Sequence, residues 1–314
     1  MERTPSVLCF AAFPAVQRTL ELESFAVGHV NRVGAVTMSA AGKAVNAGRA
    51  VHLLGGHAIV TGFSGGETGR FVESYLQREG ISFAFVPTAS STRCCHTLID
   101  RAAGTTTEIV EEAEPPQPGE WVSLERHFGV LLPQAHVAIL MGTLPAGAPA
   151  DLYLKLLRRA AERRTRVIVD TQREPLRQSL AGHPFLVKPN RLELARTLGA
   201  TLDSAEAIVQ AARDLCRHGA GHALVTDGAQ PAWLVNLQHA WRIQPPAVTP
   251  RNTTGSGDAL AGALAFALAE GRSLIDAVRF AVACGAASCL TDLPGVVDPE
   301  TVRQLLPSVA ISDV

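Results

Sequence analysis

The sequence predicts a three-layer α/β/α sandwich with a mostly parallel central sheet and a small β-sheet lid, in a single domain over residues 1–314. Short apolar runs alternate along the chain with longer helical stretches, which is the pattern of a parallel sheet covered by helices on both faces. The chain has 314 residues, of which 47% are hydrophobic, and this is enough for one large core. Two segments, residues 14–40 and 83–110, break the alternation and predict the lid.

The strands and helices are assigned from length and apolar pattern. Strands of a covered parallel sheet are buried on both faces and are continuously apolar, as Val137–Met141 is. Helices are longer and carry apolar residues at helical spacing. The predicted strands are residues 7–13, 58–62, 81–86, 137–141, 166–170, 185–187 and 223–226. The predicted helices are residues 42–54, 67–79, 150–163, 191–198, 204–217, 256–270 and 273–290.

The two lid segments have a different pattern. Thr, Ser and Val alternate in them, with no good helix between, so they predict antiparallel strands of an accessory sheet. Ligands of α/β folds bind at the carboxyl ends of the strands, and a flap inserted twice into the domain is expected to cover that edge. Residues 111–119 are acidic and rich in proline, and they predict a linker.

Charge and hydropathy exclude several classes of partner. With 28 basic and 29 acidic residues, the composition gives no basic stripe for nucleic acid or for a membrane surface. No apolar run reaches the ~20 residues that a membrane span needs, and residues 1–14 lack the long apolar region of a secretory signal. The six cysteines have no metal-ligand spacing, so they are expected as reduced thiols in a cytoplasmic protein.

One motif near the C-terminus indicates phosphoryl chemistry by itself. Residues 252–258 read Asn-Thr-Thr-Gly-Ser-Gly-Asp and precede a long apolar helix. Free N–H groups at a helix N-terminus bind anions, and glycines let the backbone approach closely. Gly255, Ser256 and Gly257 therefore predict an anion hole for a moving phosphoryl group, with Asp258 as the base that accepts a proton from the attacking hydroxyl. The alternative is a glycine-rich loop in which Asp258 is an ordinary acid at a helix start.

Further motifs stand in a fixed order before this one. They are Ala-Gly-Lys-Ala-Val-Asn-Ala-Gly-Arg at 41–49, Gly-Phe-Ser-Gly-Gly-Glu-Thr-Gly at 62–69, Ser-Thr-Arg at 91–93 with Thr-Thr-Glu at 106–108, Gly-Thr-Leu-Pro-Ala-Gly at 142–147 and Lys-Pro-Asn-Arg-Leu-Glu at 188–193. With residues 252–258 they resemble the ribokinase-like (PfkB) carbohydrate kinases over nearly the whole chain, most of all the branch of 1-phosphofructokinases and tagatose-6-phosphate kinases. Six motifs in register are far more specific than any one of them.

The resemblance implies a ribokinase-like fold and a site for ATP with Mg²⁺. Lys188, Asn190 and Glu193 are implied to lie at the nucleotide phosphates, with Glu193 organising Mg²⁺ through water. A hydrated Mg²⁺ held by few protein ligands is normal. Thr226 and Gly228 lie in the implied nucleotide loop. From the residues alone, Asn190 is equally a helix N-cap and Lys188 a solvated lysine.

The resemblance also implies an acceptor site for a sugar phosphate. Asn46 is the implied contact to a sugar hydroxyl, Gly42 lets the sugar approach, and Thr143 belongs to the implied substrate loop. Arg93 is the implied lid arginine that binds the phosphate of the acceptor, since a planar bidentate cation suits phosphate, and Lys43 is a second candidate. Without the resemblance, Arg93 is equally a solvated surface arginine. The family further implies a homodimer packed lid on lid.

The sequence departs from that branch at the end of the first strand. The branch has Asn-Pro-Ala-x-Asp there, whereas residues 13–17 read Phe-Pro-Ala-Val-Gln. Gln17 keeps an acceptor oxygen at the implied sugar-binding position but loses the charge, and neutral hydrogen bonds are weaker than charged ones.

The expected function is therefore ATP-dependent phosphoryl transfer to a hydroxyl of a sugar phosphate. Two alternatives stay open: a kinase for an unphosphorylated sugar or nucleoside, and a catalytically weak sensor that binds a sugar phosphate. A dinucleotide-binding enzyme is disfavoured, because no Gly-x-Gly-x-x-Gly follows the first strand.

Overall fold

The computed structural model describes residues 4–145 and 147–314, and in this part of the chain ten strands form the main sheet. The strands of the protein are β1 (Ser6–Ala11), β2 (Ala15–Leu22), β3 (Ala35–Ala41), β4 (His57–Thr61), β5 (Phe63–Ser64), β6 (Ser82–Phe83), β7 (Val86–Pro87), β8 (Cys94–Asp100), β9 (Thr105–Val110), β10 (Val137–Met141), β11 (Arg166–Asp170), β12 (Leu186–Val187), β13 (Ala223–Asp227), β14 (Gln230–Val235), β15 (Ala240–Gln244) and β16 (Ala310–Asp313). The main sheet has the order β16-β15-β14-β13-β12-β11-β10-β1-β4-β6. Its strands from β13 to β6 are parallel, and only β13 to β16 pair antiparallel. The mostly parallel sheet of the prediction is confirmed.

Helices cover both faces of this sheet. They are α1 (Lys43–Leu53), α2 (Gly66–Glu79), α3 (Pro118–Leu131), α4 (Leu152–Glu162), α5 (Arg173–Leu180), α6 (Arg191–Leu198), α7 (Ala205–Arg217), α8 (Ser256–Ala269), α9 (Leu274–Ser288) and α10 (Pro299–Leu305). Successive side chains of a strand point to opposite faces. Accordingly Val7 and Cys9 of β1 pack in a core with α1, α8 and α9, while Leu8 and Phe10 pack in a second core with α3, α4 and α7. The three-layer architecture follows from these two cores.

The lid is a separate four-stranded sheet in the order β3-β2-β8-β9. Its outer pairs are antiparallel, as expected, but the central pair of β2 and β8 is parallel. Both strands continue chain segments that have just left the same edge of the main sheet, so both run outward in one direction. Residues 82–87, which the prediction placed partly in the lid, belong elsewhere: β6 pairs with β4 of the main sheet, and β7 pairs with β5.

The predicted helix bounds and most of the predicted strand bounds agree with the observed ones within about two residues, the usual uncertainty of element ends, but the predicted strand at residues 81–86 is only β6 and the first residue of β7. Strands β14, β15 and β16 and three helices were not predicted. Helix α3 begins inside the predicted linker, where Gln117 and Glu120 form a capping box and Pro118 takes the first helical position, a position that suits proline. Helix α5 begins at Arg173, whose φ of 58° is left-handed. Helix α10 is the third.

Helices α1 and α8 pack closely against each other, and this contact brings together the predicted site residues that the two helices carry. A Cβ on Gly262 of α8 would stand 2.4 Å from the carbonyl oxygen of Ala47 in α1, so only glycine permits this approach. Asn46 of α1 is thereby held beside the first turn of α8. In the described part of the chain, no helix combines the length and hydrophobicity that a membrane crossing requires.

Candidate active site

The first turn of α8 places Asp258 at the centre of the site. Gly255 is the N-cap of this helix, and Asp258 is its only acidic residue in the first turn. The side chain is 8% exposed, and its Oδ2 accepts a hydrogen bond of 2.8 Å from Nδ2 of Asn46. The first N–H groups of a helix have no partner within it. The N–H of Ser256 donates a hydrogen bond of 3.3 Å to the carbonyl oxygen of Thr253, and the backbone at Gly257 offers a donor next to the carboxylate.

The turn before Asp258 depends on glycine. Gly255 has a φ of 78°, and a Cβ there would stand 2.8 Å from Cβ of Pro294. Gly257 differs, because a Cβ there would make only an ordinary contact, at 3.7 Å from Nζ of Lys188. An ammonium group therefore lies close to the helix N-terminus, and the two together suit an anion.

Two lysines and three carboxylates, one of them that of Asp258, form a cluster at the first turn of α8. Asp170, at the end of β11, is 1% exposed, and its oxygens lie 3.1 Å from Nζ of Lys43 and 3.0 Å from Nζ of Lys188. Glu193 places Oε1 3.8 Å from Nζ of Lys43. Burial alone would raise the pKa of Asp170, yet the ammonium groups of Lys188 and Lys43 hold it below its ordinary value. Asp170 thus stays ionised and fixes both lysines.

The same surroundings raise the pKa of Asp258 instead of lowering it. Burial raises the pKa of its carboxyl to about 6, with a further rise from Asp170, while Lys43, the hydrogen bond of Asn46 and Lys188 partly offset the rise. Burial would lower the pKa of the Lys43 amine, but Asp170, Asp258 and Glu193 raise it above its ordinary value, so Lys43 remains charged. A carboxyl whose pKa lies just below neutrality is ionised at pH 7 and still able to take up a proton, as a general base must.

A cavity of about 100 Å³ opens beside this cluster. It brings together Lys43, Arg93 and Thr143 from the predicted acceptor site, with Glu193 from the predicted nucleotide site. Arg93 comes from the lid and is tied to it by a hydrogen bond of 3.3 Å from Nη1 to the carbonyl oxygen of Glu111. One arginine and one lysine therefore face a single cavity.

The remaining predicted acceptor residues lie outside that cavity wall. Asn46 bonds Asp258, and Gly42 packs under the lid entry, where a Cβ would stand 3.0 Å from Cα of Pro14. Gln17 is buried, and its Nε2 donates a hydrogen bond of 2.8 Å to Oγ1 of Thr97 in the neighbouring lid strand. The sugar contact expected of Gln17 stays a prediction, since in this structure its amide nitrogen is bonded within the lid.

Two of the predicted nucleotide residues line a second cavity, which borders the α8 turn. Thr226 and Gly228 line a cavity of about 210 Å³ together with Ser256 and Gly257. The wall of this cavity is largely apolar, with Pro246, Val248, Leu260, Val282 and Ala286. Apolar walls with a few polar groups are typical of sites for flat organic ligands.

Asn190 serves as the N-cap of α6, as its alternative interpretation predicted. Its Oδ1 accepts from the N–H of Glu193, and Oε2 of Glu193 accepts from the N–H of Asn190, each at 2.8 Å. Asn190 also forms a β-bridge with Thr226, so the two predicted nucleotide loops are adjacent. Lys188 is 3% exposed rather than solvated.

The lid touches the α8 turn directly. Oγ1 of Thr254, one residue before Gly255, donates a hydrogen bond of 2.9 Å to Oε1 of Glu108 in β9. By strand register, Glu108 lies on the same lid face as Gln17 and Thr97. This face therefore covers the site.

Several residues of the site were missed by sequence reasoning. Asp170 ends an ordinary apolar strand, and no motif marks it. Thr171 donates a hydrogen bond of 2.8 Å to the carbonyl oxygen of Gly142, and the buried hydroxyl of Tyr153 donates to the same loop. Gln172 lines the acceptor cavity. Ala146, within the motif at 142–147, lies outside the described residues.

Comparison with known proteins shows which family the chain belongs to. The model of the pfkB family carbohydrate kinases matches residues 6–299. The chain belongs to the pfkB family of carbohydrate kinases. It is 31% identical over 298 residues to a 1-phosphofructokinase of Rhodobacter capsulatus, covering 95% of this chain and 94% of the relative. It is also 28% identical over 302 residues to a 1-phosphofructokinase of Bacillus subtilis, covering 95% and 97% of the two chains.

A solved structure supports the same fold for this kinase. The phosphofructokinase-2 of Escherichia coli in complex with potassium superposes with a TM-score of 0.88 at 27% identity, over 97% of this chain and 98% of that one. The expectations of a ribokinase-like α/β/α fold and of a carbohydrate kinase are therefore confirmed.

Proposed function

We propose that this kinase transfers the γ-phosphoryl group of ATP to a hydroxyl of a sugar phosphate, with Asp258 as the general base. The observation that carries the proposal is the position of Asp258: a buried carboxylate in the first turn of α8, bonded to Asn46. Lys43 and Arg93 face a cavity whose lining also includes the carboxylates of Glu112 and Glu193, and two cations suit an acceptor that already bears a phosphate. The names of the two bacterial relatives agree with such an acceptor.

In the proposed mechanism, the acceptor hydroxyl gives its proton to Asp258 as the oxygen attacks phosphorus. Negative charge then grows on the equatorial oxygens of the moving phosphoryl group. In this mechanism the N–H groups of Gly255, Ser256 and Gly257 and the ammonium of Lys188 would stabilise that charge, with Ser256 giving up its hydrogen bond of 3.3 Å to the carbonyl oxygen of Thr253. Asn46 holds the carboxylate in orientation through its bond of 2.8 Å.

The residues present fit a hydrated Mg²⁺. Glu193 commits Oε2 to its helix cap and leaves Oε1 for a water molecule. Among the described residues, no cluster of three or more His, Cys, Asp and Glu could hold a metal alone. Glu193 would therefore act through water while the ATP phosphates supply most ligands, and the ion would neutralise phosphate charge.

The pH dependence of turnover tests the role of Asp258. Because the base must be ionised and its pKa is about 6, kcat/KM for the acceptor should rise tenfold per pH unit below that value and level off above it. Lys43 lowers the pKa of Asp258, so Lys43→Met should move the midpoint to higher pH. The check is a kcat/KM profile from about pH 4.5 to about pH 8 for both proteins. A midpoint unchanged by Lys43→Met would contradict the electrostatic coupling.

The function itself is tested by a screen for ADP release. The protein is incubated with Mg-ATP and, one at a time, sugars, sugar phosphates and nucleosides. Turnover of a phosphorylated sugar such as fructose 1-phosphate or tagatose 6-phosphate, well above that of its unphosphorylated form, is expected. ATP binding by calorimetry without turnover of any acceptor would instead identify a sensor.

We further propose that the protein forms a homodimer through the outer face of the lid. By register, Val36, Met38 and Ile109 share the lid face opposite Gln17 and Glu108. They are 47%, 43% and 53% exposed. An exposed apolar sheet face marks an interaction surface, and the family resemblance favours a second copy as its partner.

Substitution of Ile109 tests the dimer. Ile109→Glu should shift the mass measured by light scattering from dimer to monomer, because a charge would be buried in the interface. The matched control is Val122→Glu, which changes a valine 57% exposed on α3 and should leave the mass unchanged. A wild-type protein that is monomeric at micromolar concentration would refute the proposal.

A further inference from the structure

The acceptor cavity has one apolar wall and one polar wall. Ala11, Ala12 and Phe13, at the end of β1, form the apolar wall. Phe13 packs edge-on against Trp121, with ring centroids 6.3 Å apart, and this fixes its ring. An acceptor rich in hydroxyl groups finds few hydrogen-bond partners there, and Gln17, a few residues on, is bonded to Thr97.

The polar wall comes from the loops after β10 and β11. Thr143, Thr171 and Gln172 line the cavity on this side. The side chain of Gln172 is half-buried, and its Oε1 is shielded from solvent without a hydrogen-bond partner among the described residues. A buried acceptor without a donor is costly and calls for an explanation, and a bound ligand would supply the missing donor.

The backbone on either side of Gln172 is held in place. On one side, Thr171 is 2% exposed and its hydroxyl donates a hydrogen bond of 2.8 Å to the carbonyl oxygen of Gly142. On the other side, Arg173 adopts a φ of 58° and its N–H donates a hydrogen bond of 2.7 Å to Oγ1 of Thr197. A left-handed conformation is unfavourable for arginine and persists where the surroundings enforce it, often at ligand sites.

We propose that Gln172 determines acceptor specificity, its side-chain carbonyl oxygen accepting a hydrogen bond from a hydroxyl of the sugar phosphate. The inference rests on the proposed function and adds the residue that reads the sugar. The family motif recognises sugar hydroxyl groups between β1 and β2, where this chain has Phe13 and Gln17. In this chain the recognition of hydroxyl groups would lie instead at the start of α5. Arg93 and Lys43 remain the contacts for the phosphate.

The test compares Gln172→Leu with wild type in steady-state kinetics on fructose 1-phosphate and tagatose 6-phosphate. The variant loses one hydrogen bond, from a sugar hydroxyl to the uncharged amide oxygen of Gln172. This loss should raise KM for the preferred sugar phosphate about tenfold, with KM for ATP unchanged. Gln172→Glu keeps acceptor oxygens and should retain activity on that sugar better than leucine does. Gln178→Leu is the matched control, because Gln178 lies in α5, which begins directly after Gln172, and its Nε2 donates to Glu174 away from the cavity.

Analogues of the preferred acceptor separate a direct contact from a structural effect. Each analogue lacks one hydroxyl. For the analogue without the hydroxyl that Gln172 contacts, wild type and Gln172→Leu should have equal KM, whereas the difference should persist for the other analogues. A structural defect would lower kcat/KM for all of them alike and would overturn the inference.

The inference and the proposed function fail in different ways. If wild type turns over a sugar phosphate and Gln172→Leu matches it on every acceptor, only the inference is wrong. If wild type releases no ADP with any acceptor, the proposed function is wrong and the role of Gln172 in acceptor choice falls with it.

Discussion

Asp258→Asn should lower kcat by about 10²- to 10⁴-fold while leaving the fold and the affinity for ATP unchanged, because a positioned general base contributes about this much. Asparagine keeps the oxygen that accepts from Nδ2 of Asn46, so the hydrogen bond of 2.8 Å can remain. The carboxylate that takes the proton is lost. The measurements are kcat from ADP release, ATP affinity by calorimetry, and thermal unfolding.

The chain offers a matched control in the neighbouring helix. Asp276 stands at the third position of α9, as Asp258 does in α8, but among the described residues its side chain bonds only its own N-cap, Ser273. Asp276→Asn should leave kcat unchanged. If Asp258→Asn phosphorylates the acceptor at close to the wild-type rate, Asp258 is not the base.

The arrangement around Asp258 was predictable only where the residues are local in sequence. Gly255, Ser256, Gly257 and Asp258 form one turn, and helix-terminus physics assigns them a role without tertiary information. The partner of this turn is Asn46, 212 positions away, and only the resemblance to a family placed it in the site.

Asp170 shows the limit of sequence reasoning. Its role as the anchor of two lysines depends on the end of β11 lying beside α1 and β12, and Lys43 is 127 positions away. A single aspartate after an apolar strand has no local signal for this. Gln17 shows the converse: its position matched a sugar-binding motif, but the direction of its side chain depends on Thr97, 80 positions away.

The fold was predictable where apolar residues recur along the sequence with the spacing of a strand or of a helix. Continuous apolar strands and amphipathic helices carry their period in the sequence, which accounts for the parallel sheet. Helix α5 was missed because it has only eight residues, contains Pro175 and begins at a left-handed residue. Helix α3 was missed because its N-terminal proline and acidic residues have the composition of a linker.

Arg93→Ala should raise KM for the phosphorylated acceptor by about 10- to 10³-fold, on the order of 1.5–4 kcal/mol for a lost charge-assisted pair. Arg93 faces the cavity that also holds Lys43 and Thr143, and its Nε is buried without a hydrogen-bond partner among the described residues. A phosphate in the cavity would supply acceptors for that donor. KM for ATP should stay the same, because Arg93 does not line the cavity that holds Thr226 and Gly228.

Two further substitutions make the result specific to phosphate recognition. Arg93→Lys keeps the charge but loses the planar fork, so its KM should lie between those of wild type and Arg93→Ala. Arg101→Ala removes an exposed arginine of the same lid that pairs with Glu21, and it should leave KM unchanged. Because Arg93 is proposed to bind only the phosphate of the acceptor, Arg93→Ala should leave turnover of the unphosphorylated sugar unchanged. If the best acceptor proves to be an unphosphorylated sugar or nucleoside and Arg93→Ala is silent on it, the arginine is a lid residue only, and the acceptor carries no phosphate.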